Sequence, residues 1–459
     1  MNFLITLVIC IGLFMNGCLG GHSKEEWKSR TIYQLLIDRF AKNNGGTSPC
    51  YNFSAYCGGG FVGLKNNLDY IEEMGFDAIW ISPVISNTYP GYHGYHANNF
   101  YTINSHFGTE QELHDLINEC HSRNIWVMLD VVANHVGPVG YDFSQITPFD
   151  RTEHYHRSCR IDYNNQTSIE YCRLADLPDL DDDGNSWVRS TLMAWVRDIV
   201  ANFHFDGIRI DTVKHMNHGF WKDFTASAAV YSVGECLNDD IGYVFGYLDG
   251  MDGMLNYPLR SKFYSPFKNG SFKGLGYGIQ DLLNYPGSEA LDYSGNFVDN
   301  HDKRRFLFDD ENGENRFMGA LAFTLMFKGI PIVYYGSEQG FAGGEDPDNR
   351  ETLWTDMNPT HPIYQFLKTV ISTRKKYEIW NKDYKDIWRE DNSFVFSRGE
   401  VVCIFTNGDK QQEMEYPGVP YSDGQRICNV FDGGDCITVS GGKIRVSLPP
   451  DSTKIYVPA

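Results

Sequence analysis

Four short segments of this sequence place carboxylate and histidine side chains directly after apolar runs. They are residues 130–135 (DVVANH), 207–215 (GIRIDTVKH), 233–236 (VGEC) and 297–302 (FVDNHD). Glycoside hydrolysis needs such groups, because one carboxylate stabilises or traps an oxocarbenium-like carbon while a second carboxyl protonates the leaving oxygen. A lone Asp at a strand end is more often a helix cap or a loop hydrogen-bonding group. Three acids in this pattern predict instead that Asp211, Glu235 and Asp302 converge on one bond.

Arg209 stands two residues before Asp211, so both side chains lie on the same face of a strand. A guanidinium in that position can keep the Asp211 carboxylate ionised and oriented. A purely structural ion pair would have much the same geometry. Glu235 has to carry a proton near neutral pH, which the negative charges of Asp211 and Asp302 favour.

Short β-rich runs alternate with helix-period segments along most of the chain, which is typical of parallel βαβ units. The predicted strands are residues 31–39, 78–84, 126–134, 205–213, 230–236, 253–257, 295–300 and 329–337. Eight parallel strands close a (β/α)8 TIM barrel, whose reactions take place at the C-terminal ends of the strands. The fold class is therefore α/β.

Two amphipathic helices illustrate the layer that would cover this barrel. A capping box formed by Thr109 and Glu112 begins the first helix. Its apolar stripe is Leu113, Leu116, Ile117 and Cys120, and the stripe of the second helix is Leu192, Trp195, Val196, Ile199 and Val200. Both stripes have the helical period and predict packing against the sheet.

The alternation breaks twice, which divides the chain into units. Residues 136–188 are rich in Asp, Asn and Tyr and predict a small inserted domain after the third strand. The catalytic barrel then comprises residues 22–135 and 189–377, its last helix spanning 361–377. Short strands with Gly and Asp turns predict a C-terminal antiparallel β-sandwich domain over residues 378–459.

The charge and the N-terminus restrict the class of protein. With 39 basic and 59 acidic residues the net charge is -20, which excludes a nucleic-acid partner that binds through its phosphates. The apolar run 3–15 predicts a cleaved secretory signal over residues 1–21, although Gly17 and Cys18 would suit lipid attachment in a bacterium. No later stretch approaches the roughly 20 apolar residues of a membrane span.

Cysteines and glycosylation motifs also favour an extracellular protein. Of 11 cysteines, six form close pairs that predict the disulfides Cys50–Cys57, Cys159–Cys172 and Cys428–Cys436. The spacing of these pairs is not that of zinc ligands. Asn-x-Ser/Thr motifs predict N-glycosylation at Asn52, Asn165 and Asn269.

The four acidic segments resemble, in order and spacing, the signature regions of the α-amylase family, and the chain is most similar to the fungal-type members. The likeness extends to residues 31–40, 78–83, 92–95, 177–181, 329–334 and 343–350, and covers about residues 28–375. It implies that Asp211 is the nucleophile, Glu235 the general acid and then base, and Asp302 the transition-state stabiliser. The substrate-binding residues that it implies are His93, Tyr95, His135, Arg209, Lys214, His301, Asp346 and Arg350.

The same resemblance implies a structural calcium ion between the barrel and the inserted domain. Its ligands would be Asn134, Glu170, Asp179 and the backbone carbonyl of His215, all of them the hard oxygen donors that Ca2+ prefers. Without the resemblance, these acidic positions would be interpreted as a solvated loop. No chloride site is predicted.

Two departures from the fungal pattern leave the catalytic acids untouched. His96 stands where a Trp commonly follows the Tyr-His-Gly-Tyr segment, and this removes an aromatic platform. Lys303 follows Asp302 where Asn is common.

The sequence therefore predicts a secreted, monomeric, retaining endo-α-amylase that acts on starch or glycogen. An exo-acting maltogenic enzyme, an α-glucosidase or a transglycosylase on the same scaffold are alternatives that a product profile would separate. A non-catalytic glycan-binding protein is another, and it would show an altered triad or a membrane helix before the barrel.

Overall fold

The computed structural model describes residues 21–268, 270–310 and 312–459. The predicted signal peptide up to residue 20 and the predicted glycosylation site Asn269 lie outside the described residues.

Eight short parallel strands form the central sheet, which confirms the predicted barrel. They are β1 Ile32–Leu35, β2 Ala78–Ile81, β3 Trp126–Val131, β4 Gly207–Ile210, β5 Tyr231–Gly234, β6 Gly253–Met254, β7 Gly295–Asn296 and β8 Ile330–Tyr334. The hydrogen-bonded order is β6-β5-β4-β3-β2-β1-β8-β7, and a parallel bridge between Leu255 and Gly295 closes the ring. Each strand lies inside its predicted range but is shorter at its C-terminal end. After β4 and β5 the residues that leave the ladder, Asp211 and Glu235 among them, line a cleft.

Large apolar side chains fill the barrel, so it is a packed core and not a pore. The interior cluster comprises Trp27, Ile32, Ala78, Trp80, Trp126, Met128, Tyr231, Val233, Leu255, Tyr257, Phe297, Ile330 and Ile332. Trp27, from the first helix, closes the N-terminal end and donates from its indole nitrogen to the carbonyl of Asp206 at 3.3 Å. Gly207 is required beneath it, because a Cβ atom there would lie 2.8 Å from the Trp27 ring.

Helices surround the sheet and bury the predicted stripes. They are Lys24–Trp27, Ile37–Phe40, Phe61–Asn66, Leu68–Met74, Glu110–Ser122, Gln166–Tyr171, Ser186–Phe203, Trp221–Ala228, Ile241–Phe245, Tyr257–Lys268, Phe272–Leu283, Glu314–Met326 and Pro362–Lys376. The predicted capping box of Thr109 and Glu112 is present, and all nine residues of the two predicted stripes are buried. None of the described helices is long and apolar enough to cross a membrane.

The segment between β3 and the helix Ser186–Phe203 contains little regular structure and is fastened to the barrel at several points. An isolated antiparallel bridge pairs His135 with Asp179, and the disulfide Cys159–Cys172 closes its outer loop. A hairpin of Ile85–Asn87 and Ala97–Ile103, which was not predicted, packs beside it through a hydrogen bond from the backbone N–H of Phe100 to the carbonyl of Thr147.

The C-terminal region is an antiparallel β domain, as predicted. Its strands are β9 Tyr384–Glu390, β10 Ser393–Arg398, β11 Val401–Thr406, β12 Gln412–Pro417, β13 Arg426–Asn429, β14 Asp432–Thr438, β15 Lys443–Leu448 and β16 Thr453–Pro458. One sheet has the order β9-β10-β11-β16-β13-β14, and β12 pairs with β15 in a second sheet. The disulfides Cys50–Cys57 and Cys428–Cys436 are also formed, whereas Cys120, Cys236 and Cys403 are free and buried.

An aromatic cluster and one arginine, Arg398, join this domain to the barrel. The ring of Phe323, in the helix Glu314–Met326, lies 6.0 to 6.4 Å from the rings of Phe394, Phe396 and Phe405. At the end of the same helix, Arg374 donates to the carbonyl of Leu325 at 2.8 Å and Arg398 to that of Met326 at 3.2 Å. The helix carbonyls that lack an intrahelical partner are thus satisfied by guanidinium groups.

We expect Phe323→Ala to lower the free energy of unfolding by about 3–5 kcal/mol, because truncation leaves a cavity at the centre of this cluster. Chemical denaturation followed by tryptophan fluorescence measures the change. Tyr51→Ala, at a side chain that is 93% exposed, is the control and should change stability by no more than about 0.5 kcal/mol. Equal effects of both substitutions would contradict a shared core between the domains.

Candidate functional site

The predicted catalytic acids lie together at the C-terminal ends of the strands. Asp211 directly follows β4, Glu235 directly follows β5, and Asp302 lies six residues after β7. They line a cleft of about 480 Å3 together with His93, Tyr95, His96, His135, Tyr163, Leu174, Thr212, Lys214, His215, Leu237, His301, Asp346 and Arg350. The structure thus brings the triad and seven of the eight predicted substrate-binding residues into one cavity.

Arg209, the eighth, lies beneath the floor of this cleft and holds three carboxylates. Its Nη1 atom lies 2.8 Å from Asp130 Oδ1 and 2.8 Å from Asp211 Oδ1, and its Nη2 atom lies 3.2 Å from Glu235 Oε2. The parallel register places Asp130 of β3 directly opposite Arg209 of β4. The guanidinium is fully buried, so the strand pairing and not solvent fixes its direction.

This buried group has more negative than positive charge. Burial raises the pKa of Asp130 to about 6 even though Arg209 opposes the change. Burial also raises the pKa of Asp211 well above its usual range, and the charges of Glu235 and Asp130 act in the same direction against Arg209. Burial and mutual repulsion therefore favour a shared proton in the pair Asp130 and Asp211, even with Arg209 between them.

Asp302 lies apart from this guanidinium, nearer the solvent. Its side chain is 32% exposed, and its Oδ2 atom lies 3.3 Å from His301 Nε2. Its Oδ1 atom lies 3.7 Å from Arg350 Nη2. Asp302 therefore presents its carboxylate to the open cleft.

A chain of hydrogen bonds links His301 to Asp130. Gln34 Nε2 donates to His301 Nδ1 at 2.8 Å, so the ring proton of His301 is on Nε2. His301 Nε2 lies 2.8 Å from the hydroxyl of Tyr95, which donates to Asp130 Oδ2 at 2.9 Å. Burial lowers the pKa of His301 well below its usual range, so the ring is neutral and its proton direction is fixed.

The remaining predicted histidines are also neutral and lie around Tyr95. His93 Nδ1 accepts the backbone N–H of Tyr95 at 3.0 Å, and His135 Nε2 lies 3.1 Å from the Tyr95 carbonyl. Burial lowers the pKa of His135 to about 3 and that of His93 well below its usual range. The Tyr95 ring lies parallel to those of His93 and His301, at centroid distances of 5.5 and 5.3 Å.

Charged residues occupy two opposite sides of the cleft. On one side, Arg350 Nη1 lies 3.0 Å from Asp346 Oδ1 and Arg350 Nε donates to the carbonyl of His301. On the other, Lys214 Nζ donates to the carbonyl of Leu237 at 2.8 Å and lies 5.9 Å from the centre of the Tyr163 ring. The three acids thus share the cleft with an Arg–Asp ion pair and with a lysine beside an aromatic ring.

Sequence reasoning missed several members of this site. Gln34 lies inside β1, and Asp130, which belongs to the segment 130–135 but received no role, lies inside β3. Tyr163, Leu174 and Leu237 come from irregular segments, where no periodicity marks them.

Three of the four predicted calcium ligands meet at the base of the inserted segment. The Oδ1 atom of Asn134 lies 3.1 Å from Asp179 Oδ1 and 2.7 Å from the carbonyl oxygen of His215. Three oxygens that approach each other need either a cation between them or a reversed Asn134 amide that donates hydrogen bonds to the other two. The donor set therefore fits a hard cation.

Glu170, the fourth predicted ligand, lies nearby with its Oε1 atom bound to Gln166 Nε2 at 2.8 Å. Its neighbour Ile169 accepts from the ring nitrogen Nδ1 of His215 at 3.2 Å. No hydrogen bond joins Glu170 to Asn134 or Asp179 in the part of the chain that the structure describes.

Comparison with known proteins agrees with this geometry. Residues 34–383 match the family described as alpha amylase, catalytic domain. An α-amylase of Saccharomycopsis fibuligera is 36% identical over 466 residues, which cover 95% of this chain and 92% of that protein. The α-amylase 3 of Schizosaccharomyces pombe is 37% identical over 92% of this chain and 79% of its own. The solved structure of an α-amylase from Malbranchea cinnamomea has a TM-score of 0.90 at 34% identity and covers 95% of this chain and 98% of its own.

We expect Arg209→Met to destabilise the protein by about 3–5 kcal/mol near neutral pH, because it leaves buried carboxylates without their cation. Without the cation, the pKa values of Asp130 and Asp211 in the folded state rise further above their unfolded values of about 4. The folded protein then holds extra protons between the two values, and its stability falls as the pH rises through that window. The loss of stability should be larger at about pH 8 than at about pH 5.

Denaturation at both pH values measures this difference. Arg123→Met is the control, because Arg123 makes its ion pairs at the surface, where such pairs contribute about 1 kcal/mol or less. A pH-independent loss in Arg209→Met would contradict the shared-proton interpretation.

Proposed function

Because the chain belongs to the α-amylase family, we propose that it is a secreted, retaining, endo-acting α-amylase that hydrolyses internal α-1,4-glucosidic bonds of starch or glycogen. The observation that carries this proposal is the guanidinium of Arg209, which holds Asp211 and Glu235 on adjacent nitrogens beneath the cleft. Retaining glycosidases need two carboxyl groups close together, one of them ionised and the other protonated.

In the first step of the proposed reaction, the Asp211 carboxylate attacks the anomeric carbon and the bond to the leaving oxygen breaks. Arg209 Nη1 lies 2.8 Å from Asp211 Oδ1 and, against the effect of burial, favours the ionised form that attacks. Glu235 gives its proton to the leaving oxygen, so the departing sugar leaves as an alcohol. The backbone N–H of Thr212 donates to Glu235 Oε2 at 3.0 Å, which leaves Oε1 to carry the proton.

In the second step, water attacks the same carbon from the opposite side and releases Asp211. Glu235, now ionised, accepts the proton of this water, and the anomeric configuration is restored. Asp302 accepts hydrogen bonds from the sugar hydroxyls during both steps. The neutral His135 and His301, whose ring nitrogens are bonded within the protein, line the sugar site and hold Tyr95 in place. The other proposed substrate-binding residues lie along the cleft. His93 and Tyr95 lie beside His301, Asp346 and Arg350 lie on one side, and Lys214 lies on the leaving-group side.

We also propose that Ca2+ binds at Asn134, Asp179 and the His215 carbonyl, with Glu170 as a further ligand. The three convergent oxygens support this ion. The ion would hold the inserted segment against the barrel. It would also fix the position of Asn134, whose neighbour in the chain, His135, lines the cleft. Its contribution is structural.

Export agrees with several features of the chain. Three disulfides are formed, as is typical of proteins that fold in an oxidising compartment. Asn52 and Asn165, two of the proposed glycosylation sites, are exposed. We propose that residues 1–21 are the cleaved signal and that the mature protein acts as a monomer.

We expect Glu235→Gln to reduce the hydrolysis of soluble starch and maltoheptaose at least about 10³-fold, because the amide cannot donate a proton to the leaving oxygen. Chromatography of the products measures the rate, and NMR during the first turnovers shows the anomer. The wild-type protein should release a mixture of short maltooligosaccharides in the α-configuration. Glu119→Gln, on the outer helix Glu110–Ser122, is the matched control and should retain full activity.

The product profile also separates the related specificities. Maltose or glucose alone would indicate exo cleavage, and longer products than the substrate would indicate glycosyl transfer. No turnover by the wild-type protein would exclude the proposed α-amylase activity and favour a glycan-binding role.

We expect removal of Ca2+ by a chelator to lower the unfolding temperature and starch hydrolysis together, with both restored by added Ca2+. At free Ca2+ about 100-fold above the dissociation constant, the stabilisation would be about 2.7 kcal/mol. Asp179→Asn should weaken this response, whereas Asp176→Asn, at an exposed carboxylate of the same segment, should leave it unchanged. Identical unfolding curves with and without the chelator would contradict the calcium site.

A further inference from the structure

Two buried charged residues, Asp38 and Arg39, follow β1 at the end of the barrel where the cleft lies. They belong to the short helix Ile37–Phe40, and neither side chain is accessible to solvent. Arg39 Nε lies 2.9 Å from Asp38 Oδ2, so the two groups form an ion pair. Neither residue lines the cleft. Because burial of a charged pair is costly, its remaining donors and acceptors need partners, and those partners indicate what the pair does.

Asp38 binds one end of the loop that the disulfide Cys50–Cys57 closes. Its Oδ2 atom accepts the backbone N–H of Cys57 at 2.8 Å, and its Oδ1 atom accepts that of Gly58 at 3.1 Å. The disulfide ties the other end of the loop to the same point. The position of this loop therefore depends on the buried ion pair.

Arg39 joins the same loop to Arg350, which lines the cleft. Its Nη2 atom donates to the carbonyls of Phe53 and Ala55 at 2.8 and 2.9 Å. Its Nη1 atom donates to the carbonyl of Arg350 at 2.9 Å. With the bond from Nε to Asp38, four of the five N–H groups of this guanidinium have an acceptor, an arrangement that suits a planar fork and not an ammonium group.

A second path leads from Arg39 to the side chain of Arg350. The guanidinium carbon of Arg39 lies 3.9 Å from the centre of the Tyr92 ring, which is a cation–π contact. The Tyr92 hydroxyl accepts from Arg350 Nη1 at 3.2 Å, and the same Nη1 atom lies 3.0 Å from Asp346 Oδ1. Groups in contact with Arg39 thus hold Arg350 both at its backbone and at its guanidinium.

We propose that Arg39 is a positioning residue for the side chain of Arg350, and that the loop closed by Cys50–Cys57 acts on the cleft through it. This inference rests on the proposed function, in which Arg350 and Asp346 bind the sugar. Arg39 is fully buried and does not touch substrate. It acts by fixing the direction from which Arg350 reaches into the cleft.

The expected consequence of losing Arg39 is weaker substrate binding with an intact chemical step. Asp211 and Glu235 are held by Arg209, which makes no contact with Arg39 in the described structure. A displaced Arg350 loses binding that the ground state and the transition state share, so KM rises while kcat changes little.

The kinetics of maltoheptaose hydrolysis test this expectation. Arg39→Lys keeps the charge but cannot bond all of these acceptors, and should raise KM at least about fivefold while kcat stays within about twofold. Arg374→Lys is the matched control, because Arg374 is also fully buried and donates to three backbone carbonyls away from the cleft. It should lower stability but leave KM unchanged.

A double-mutant cycle separates positioning from a general loss of structure. In an Arg350→Ala background, Arg39→Lys should no longer change kcat/KM, because the side chain through which it acts is absent. A further loss of about fivefold in that background would overturn the proposal.

The disulfide gives an independent test of the loop. Cys50→Ser combined with Cys57→Ser should raise KM in the same way as Arg39→Lys. Cys428→Ser combined with Cys436→Ser opens a loop of similar length in the β domain and should leave KM unchanged. A wild-type KM in both double variants would contradict the role of the loop.

A crystal structure of Arg39→Lys tests the positioning without substrate, so its outcome is separate from that of the proposed function. We expect Arg350 to lose its contacts with Tyr92 and Asp346. An unchanged Arg350 side chain would overturn the proposal. A displaced Arg350 in a protein whose wild type does not hydrolyse maltoheptaose would support the positioning and contradict the proposed function.

Discussion

One buried guanidinium organises the proposed catalytic centre. Arg209 contacts Asp130, Asp211 and Glu235, which come from three successive strands of the barrel. The direction of its side chain follows from the parallel register of β3 and β4, and the contacts with Glu235 follow from the neighbouring β5. The closed sheet is therefore what makes the charge arrangement possible, because each carboxylate arrives on a strand whose position the other seven strands determine.

The inserted segment is coupled to this centre through one strand end. Asn134 faces Asp179 and the His215 carbonyl, whereas its neighbour His135 lines the cleft. The proposed cation at the first position would therefore act on the geometry of the second without touching substrate. Asp179 also accepts a hydrogen bond from His156 of the inserted segment. Polar contacts therefore connect this segment to the strand end that lines the cleft.

The sequence predicted the barrel, because apolar strands that alternate with helix-period segments are a local signal, and the apolar stripes of two helices predicted their buried faces. The structure brings the predicted acids Asp211, Glu235 and Asp302 into one cleft. Asp130 lay in one of the four segments without an assigned role. Gln34 could not be found in this way, because the partner of a polar residue inside a strand is known only once the barrel interior is known. Glu170 illustrates the opposite case, since the resemblance supplied a role that its hydrogen bonds alone do not indicate.

Arg374 and Arg398 have a consequence for how this chain can change during evolution. Arg374, from the last barrel helix, donates to carbonyls of Leu325, Lys28 and Gly329, and Arg398, from β10, donates to those of Met326, Ile379 and Lys382. Arg374 thus satisfies carbonyls within the barrel, whereas Arg398 crosses from the β domain to the barrel through the carbonyl of Met326. Both arginines bond to the end of the helix Glu314–Met326, so a chain recombined at the domain boundary would have to keep this helix end compatible with both domains.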